Sequence, residues 1–169
     1  MKNFFNFLSC LVFISCAAAL VPETNDPGEK LKQSYSLISN KRGIAAEKVI
    51  NDALRMYQKR GDQEGLANCY YAYALLYRSD VSHHELKLPN YKLASQNYLK
   101  AAPYLLNLKK IELYAQTISL AAMFEALGTK PTNTSNSCQM LTQAKKVIGT
   151  SSREGLKILQ EQFAGLRCF

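Results

Sequence analysis

From Leu31 to Phe163 the apolar residues recur every three to four positions, with short polar or glycine-containing interruptions. This is the period of an amphipathic helix with one buried stripe. No stretch shows sustained two-residue alternation, so no strand is expected. Breakers at Asn40-Lys41-Arg42-Gly43, Gly61-Asp62, Ser79 to Pro89, Gly128 to Asn136 and Gly149-Thr150 divide the pattern. The helices predicted between them cover about 29–39, 43–60, 63–79, 90–107, 109–127, 136–148 and 151–166. The last opens on Ser151-Ser152-Arg153-Glu154, a capping box in which Ser151 accepts from the third helical amide and Glu154 reaches back. Leu156, Leu159 and Phe163 form its apolar face, and Lys157, Gln160 and Glu161 its polar one, as suits a helix that ends a stack.

Two side-chain patterns alternate along these helices. Tyr70, Tyr73, Ala74 and Tyr77 share one helical face, and forty-seven residues on Thr117, Leu120, Ala121 and Phe124 hold the same spacing. Between them, Ala46, Ile50 and Ala53 set small-x3-large-x2-small, which recurs as Ala94, Tyr98 and Ala101 and again as Ser137, Leu141 and Ala144. A small residue lets a neighbouring helix approach closely, and a large one a turn away fills the groove beside it. Alternating the two patterns predicts an all-α superhelix of about three stacked antiparallel helix pairs with a C-terminal capping helix. No single pair buries its own apolar face, so the pairs must stack.

These signatures resemble the tetratricopeptide repeat. Its first helix carries large-x2-Leu-Gly/Ala-x2-Tyr and its second Ala-x3-Phe/Tyr-x2-Ala. Gly61-Asp62-Gln63-Glu64-Gly65-Leu66-Ala67 is similar to the GD-x2-G-x-A turn of longer repeats in that superfamily. The resemblance covers about residues 45–148, with a period of 43 to 48 residues against about 34 in the standard repeat. It implies a concave face, lined by the first helix of each pair, that binds a peptide or protein segment. By position, Asn68, Tyr71, Leu75 and Arg78 would line it from one repeat, and Ala115, Ile118, Ala122 and Glu125 from the next. The competing reading packs Tyr71 and Ile118 against the final helix.

Composition agrees with helices. Only 8 Gly and 5 Pro occur in 169 residues, and 47% hydrophobic content suffices for a core. The formal charge of +8 implies weak attraction to anionic surfaces such as lipid headgroups or acidic polymers. No segment has the dense Lys/Arg run of a nucleic-acid-binding arm.

The N-terminus reads as an export signal over residues 1–19. Lys2 gives a positive start, Phe4 to Ile14 an apolar run, and Ser15 to Ala19 a small-residue stretch. The run is too short for a stable membrane span. Ala17-Ala18-Ala19 would suit ordinary cleavage. Phe13-Ile14-Ser15-Cys16 resembles a bacterial lipobox, which implies lipidation of Cys16, a mature start there and an acyl anchor including an amide-linked chain such as palmitate. Ala17 follows the cysteine, and the resemblance to enterobacterial lipoproteins then implies an outer-membrane protein facing the periplasm. Without lipidation it would be a soluble periplasmic or secreted protein. Residues 20–28, with two prolines and a glycine, read as a tether, and 29–169 as the helical domain.

Of the five cysteines, Cys10 and Cys16 lie in the signal region and Cys69 inside an apolar helix, as a buried free thiol. Cys138 starts one predicted helix and Cys168 follows the end of the next. In an antiparallel pair those ends meet, and an exported chain permits a disulfide worth roughly 3 kcal/mol. The alternatives are free thiols or a pair involving Cys69.

Candidate chemistry is sparse. His83-His84-Glu85 holds the only histidines, and neighbouring ligands do not converge on one metal. Asn133-Thr134-Ser135 matches a glycosylation acceptor that a bacterial lipoprotein would leave unmodified. No Gly-rich phosphate loop, G-x-S-x-G elbow or paired carboxylates on an apolar face are evident. The expectation is therefore a binding adaptor of the cell envelope, assisting assembly of an envelope or secretion complex, with no catalysis, metal, cofactor or nucleic-acid partner. The rival is a small-ligand carrier or envelope enzyme with a pocket between helices.

Overall fold

The computed structural model describes residues 21–79, 89–129 and 134–168. They form seven helices and no strand: α1 (Pro27–Ser39), α2 (Gly43–Arg60), α3 (Gln63–Arg78), α4 (Tyr91–Asn107), α5 (Ile111–Gly128), α6 (Ser135–Ile148) and α7 (Arg153–Leu166). The expected signal segment, Cys10, Cys16, His83-His84-Glu85 and Asn133 lie outside the described residues. Each helix packs on the next in sequence, and in addition α1 packs on α3 and α5 on α7. The result is an all-α superhelix of three helix pairs, α1–α2, α3–α4 and α5–α6, closed by α7.

The alternating small and large residues are the packing code. Ala46, Ile50, Ala53, Ala94, Tyr98, Ala101, Ser137 and Leu141 have no exposed surface, and Ala144 has 1%. Ala74, Thr117 and Ala121, from the first-helix pattern, are also fully buried. Three apolar clusters result. The first joins α1, α2 and α3 around Ile50, Cys69 and Leu76. The second joins α3, α4 and α5 around Ala74, Tyr98 and Phe124. The third gathers Ile118, Leu141, Ile148 and Leu159 beneath α7.

The Gly61-Asp62-Gly65 turn shows why those residue types sit there. Gly61 ends α2 at φ 64°, in the left-handed region where a side chain is strained. The Asp62 carboxylate then caps α3 by accepting from the Gly65 amide at 2.9 Å. A Cβ at Gly65 would collide with the Tyr57 ring, so glycine there sets how closely α2 and α3 approach.

The chain differs from expectation at both ends. Helix α1 begins at Pro27, inside the expected tether, because Asp26 caps it and proline is pre-organised at the first helical position. Val21 packs against the first cluster, and Gln33 Nε2 donates to the Pro22 carbonyl at 2.9 Å. At α7 the cap is Ser152 and not Ser151: Ser152 Oγ accepts from the Gly155 amide at 2.9 Å, while the Ser151 hydroxyl donates to the Ile148 carbonyl. Cys138 and Cys168 form a disulfide with Cα atoms 5.5 Å apart, joining the start of α6 to the end of α7. Cys69 is the free, buried cysteine among the described residues.

Candidate functional site

The first helices α1, α3 and α5 together line a groove of about 600 Å³. Tyr35, Ile38 and Ser39 form one wall from α1, Leu75 and Arg78 come from α3, and Phe124 and Leu127 form the far wall from α5. Ser79 and Tyr91 close one end. Tyr35 is 37% and Leu127 52% exposed, so two large apolar side chains stand open to water at the rim. Helical spacing explains α3's share: Leu75 and Arg78 lie one turn apart on the same face.

Beneath the groove, aromatic rings tie α3, α4 and α5 into one support. Tyr71 meets Tyr98 edge-on at 5.0 Å, Tyr98 stacks on Phe124 at 5.9 Å, and Tyr91 stacks on Phe124 at 5.7 Å. The Arg78 guanidinium lies over the Phe124 ring, 5.8 Å from its centre. This contact holds the cation at the groove while leaving its N–H donors available. Among the described residues Arg78 is the only charged one lining the groove, and it makes no ion pair with another of them. Tyr98 is fully buried, and its hydroxyl has no hydrogen-bond partner among the described residues. Burial pushes that hydroxyl up to about 12, with the nearby Arg78 charge opposing the shift. Chemically, the groove presents flat apolar surface, one fixed guanidinium and the Ser39 and Ser79 hydroxyl-bearing side chains. It suits an extended or helical segment with apolar side chains and a carboxylate or carbonyl acceptor.

The expected site residues divide three ways. Leu75 and Arg78 line the groove. Tyr71 is half-buried in the ring stack that supports it, whereas Asn68 is exposed on α3 and Glu125 half-buried on α5, neither lining the groove. Ile118 is corrected: it is 6% exposed, and with fully buried Ala115 and Ala122 it belongs to the cluster beneath α7. The physical reason is that α7 packs on α5 where a further first helix would, covering that face. Tyr35, Ile38, Tyr91, Phe124 and Leu127 were not expected here. The repeat resemblance covers about residues 45–148 and leaves α1 out, and its spacing marks Phe124 only as a packing position. The exposed Leu127 at the end of an otherwise apolar helix was the available signal.

Among the described residues no three His, Cys, Asp or Glu side chains are grouped to hold a metal ion, and no helix is long and apolar enough to cross a membrane. Burial pushes the Cys69 thiol up to about 12, well away from a reactive thiolate. No family model, curated protein or solved structure matches the chain.

Proposed function

We propose that this chain is a non-catalytic, protein-binding adaptor of the bacterial cell envelope that seats a segment of a partner protein in the groove between α1, α3 and α5. The observation that carries the reading is Arg78: a guanidinium steadied on Phe124, in a groove whose other described lining residues are apolar or hydroxyl-bearing. An apolar surface carrying one cation with no ion pair among the described residues favours a segment that brings apolar side chains and an acceptor together. The export signal and the Cys16 lipobox support placement as an outer-membrane lipoprotein facing the periplasm. There it would assist assembly of an envelope or secretion complex, an analogy that rests on architecture.

Crosslinking of intact envelopes from the native host, followed by purification of the chain, tests the groove. Arg78→Glu reverses the charge that Arg78 supplies and should reduce recovery of the partner on the order of tenfold or more. Lys157→Glu, on α7, should leave recovery unchanged. Equal recovery with both variants would reject the groove as the binding site. The anchor is tested separately: protein from the native host should begin at Cys16 with a lipid-sized mass increment, and Cys16→Ser should lack it. An unmodified N-terminus beginning after Ala19 would reject lipidation.

A further inference from the structure

The positive charge of the chain is segregated by helix. The second helices α2, α4 and α6 carry eight Lys or Arg against two carboxylates, a net +6, whereas α1, α3, α5 and α7 carry five against six, a net −1. Helices α4 and α6 have no acidic residue: Lys92 and Lys100 stand on one, Lys145 and Lys146 on the other, all exposed. Both carboxylates of α2 are engaged, Glu47 accepting from the Tyr77 hydroxyl at 2.6 Å and Asp52 facing Lys30 Nζ at 3.9 Å. None of the eight cations makes an ion pair among the described residues. The groove is walled by first helices, with only Tyr91 contributed by a second helix, and α2, α4 and α6 pack on the first helices and α7 rather than mainly on one another.

The route of the chain says what those helices would meet. Residues Val21 to Asn25 lie along a cleft of about 630 Å³ lined by Lys30 and Gln33 of α1 and by Lys48, Asp52, Arg55 and Met56 of α2. The chain therefore enters the domain along the seam between α1 and the basic helix α2. Cys16 precedes Val21 by five residues, a reach of at most about 17 Å when fully extended. A lipid at Cys16 would bring this seam, and not the groove, to the bilayer. Val147, 50% exposed beside Lys145 and Lys146, adds an apolar side chain to the same helix.

We infer that the face formed by α2, α4 and α6 is an electrostatic docking surface for an anionic phospholipid bilayer, which leaves the first-helix groove turned away from the membrane toward its partner. Spread cations without paired carboxylates attract an anionic leaflet, each adding a similar increment that salt weakens. The inference stands without the groove reading, and its test omits Cys16, so failure of either is distinguishable.

The chain from Val21 onward retains all three apolar clusters and the disulfide. Its sedimentation with phosphatidylcholine vesicles, pure or containing phosphatidylglycerol, reads the interaction. Binding should rise with phosphatidylglycerol content and fall with added salt. Arg55→Gln with Lys92→Gln and Lys145→Gln, one change per second helix, should weaken it on the order of a hundredfold, at about fivefold per cation removed. Lys32→Gln with Lys157→Gln, on α1 and α7, should bind as the unaltered chain does. If the triple variant has lost helicity, the three single variants are measured instead, each with the fivefold loss expected. Equal binding to neutral and anionic vesicles, or equal loss in the α1–α7 control pair, would overturn the proposal. So would binding to soluble polyphosphate with none to vesicles, which would assign the face to an acidic polymer.

Discussion

The Ser95 hydroxyl donates to the Ala121 carbonyl oxygen at 2.8 Å across the α4–α5 crossing, and neither residue has exposed surface. The bond forms because two small side chains let the helix backbones approach closely. Ala121→Leu should overpack this crossing and cost about 1–3 kcal/mol, and Ala74→Leu should do the same at the equivalent position of α3. Ser95→Ala, which removes only the bond, should cost about 0.5–1.5 kcal/mol. Urea unfolding at constant slope measures all three; an unchanged midpoint in either Leu variant would refute the packing code.

A second junction is titratable. Glu112 Oε1 accepts from the Ser152 hydroxyl at 2.6 Å, and Ser152 in turn caps α7. The hydrogen bond from Ser152, with a smaller contribution from its own backbone amide, holds the Glu112 carboxyl below its ordinary value. A carboxyl lowered by folding stabilises above its unfolded pKa, and the contribution is lost as pH falls through the folded pKa. Glu112→Gln should therefore lower the melting temperature slightly near neutrality, and the difference from the unaltered chain should close in acid. A gap that widens on acidification would contradict the assignment. Ser152→Ala, which removes the cap itself, should cost about 1 kcal/mol.

Three helix ends place a charged side chain where glycine is at ease. Lys41, Lys109 and Arg167 have φ of 57°, 56° and 53° at the ends of α1, α4 and α7, the position that Gly61 fills after α2. At α1 and α4 the next amide closes the turn, Arg42 N to the Leu37 carbonyl at 2.8 Å and Lys110 N to the Leu105 carbonyl at 2.9 Å. Lys41→Gly and Lys109→Gly should each raise stability by about 0.5–1 kcal/mol, since only the left-handed strain is removed. Loss of stability in both would mean that the lysine side chains contribute more than the strain costs.

The two kinds of cysteine should separate chemically. Reduction of Cys138–Cys168 should lower the melting temperature, in line with roughly 3 kcal/mol for a crosslink spanning 30 residues. The folded, oxidised domain should take up no thiol reagent at neutral pH, because Cys69 is fully buried with its thiol pushed up to about 12. Rapid labelling of Cys69 without denaturant would contradict its place in the first cluster.

The fold was legible wherever local chemistry and packing demand the same residue. Gly61 and Asp62 serve both the end of α2 and the cap of α3, and Ala46, Ala94 and Ser137 recur because each crossing needs a small side chain. The ends were less legible. Ser151 and Ser152 are both competent caps, and only the backbone path, with Ser152 extended at φ −147°, decides between them. The site was half legible: Leu75 and Arg78 follow from helical phase on α3, but the walls depend on which helices meet in space. Tyr35 and Phe124 are far apart in sequence and face one groove, while Ile118, on the expected face of α5, is covered by α7. No periodicity within α5 reports the arrival of α7.

The adaptor reading is tested most directly by a photoreactive amino acid at Leu127, the most exposed apolar residue of the groove, irradiated in living cells of the native host. One dominant crosslinked protein is expected, mapped to a segment with apolar residues beside an acidic one. The crosslink should be lost in Arg78→Glu and retained in Lys157→Glu. A photoreactive residue at Leu127 that captures nothing, while one at Lys59, exposed on α2 outside the groove, captures a protein efficiently, would contradict the adaptor reading, as would a crosslink at Leu127 indifferent to the charge at Arg78.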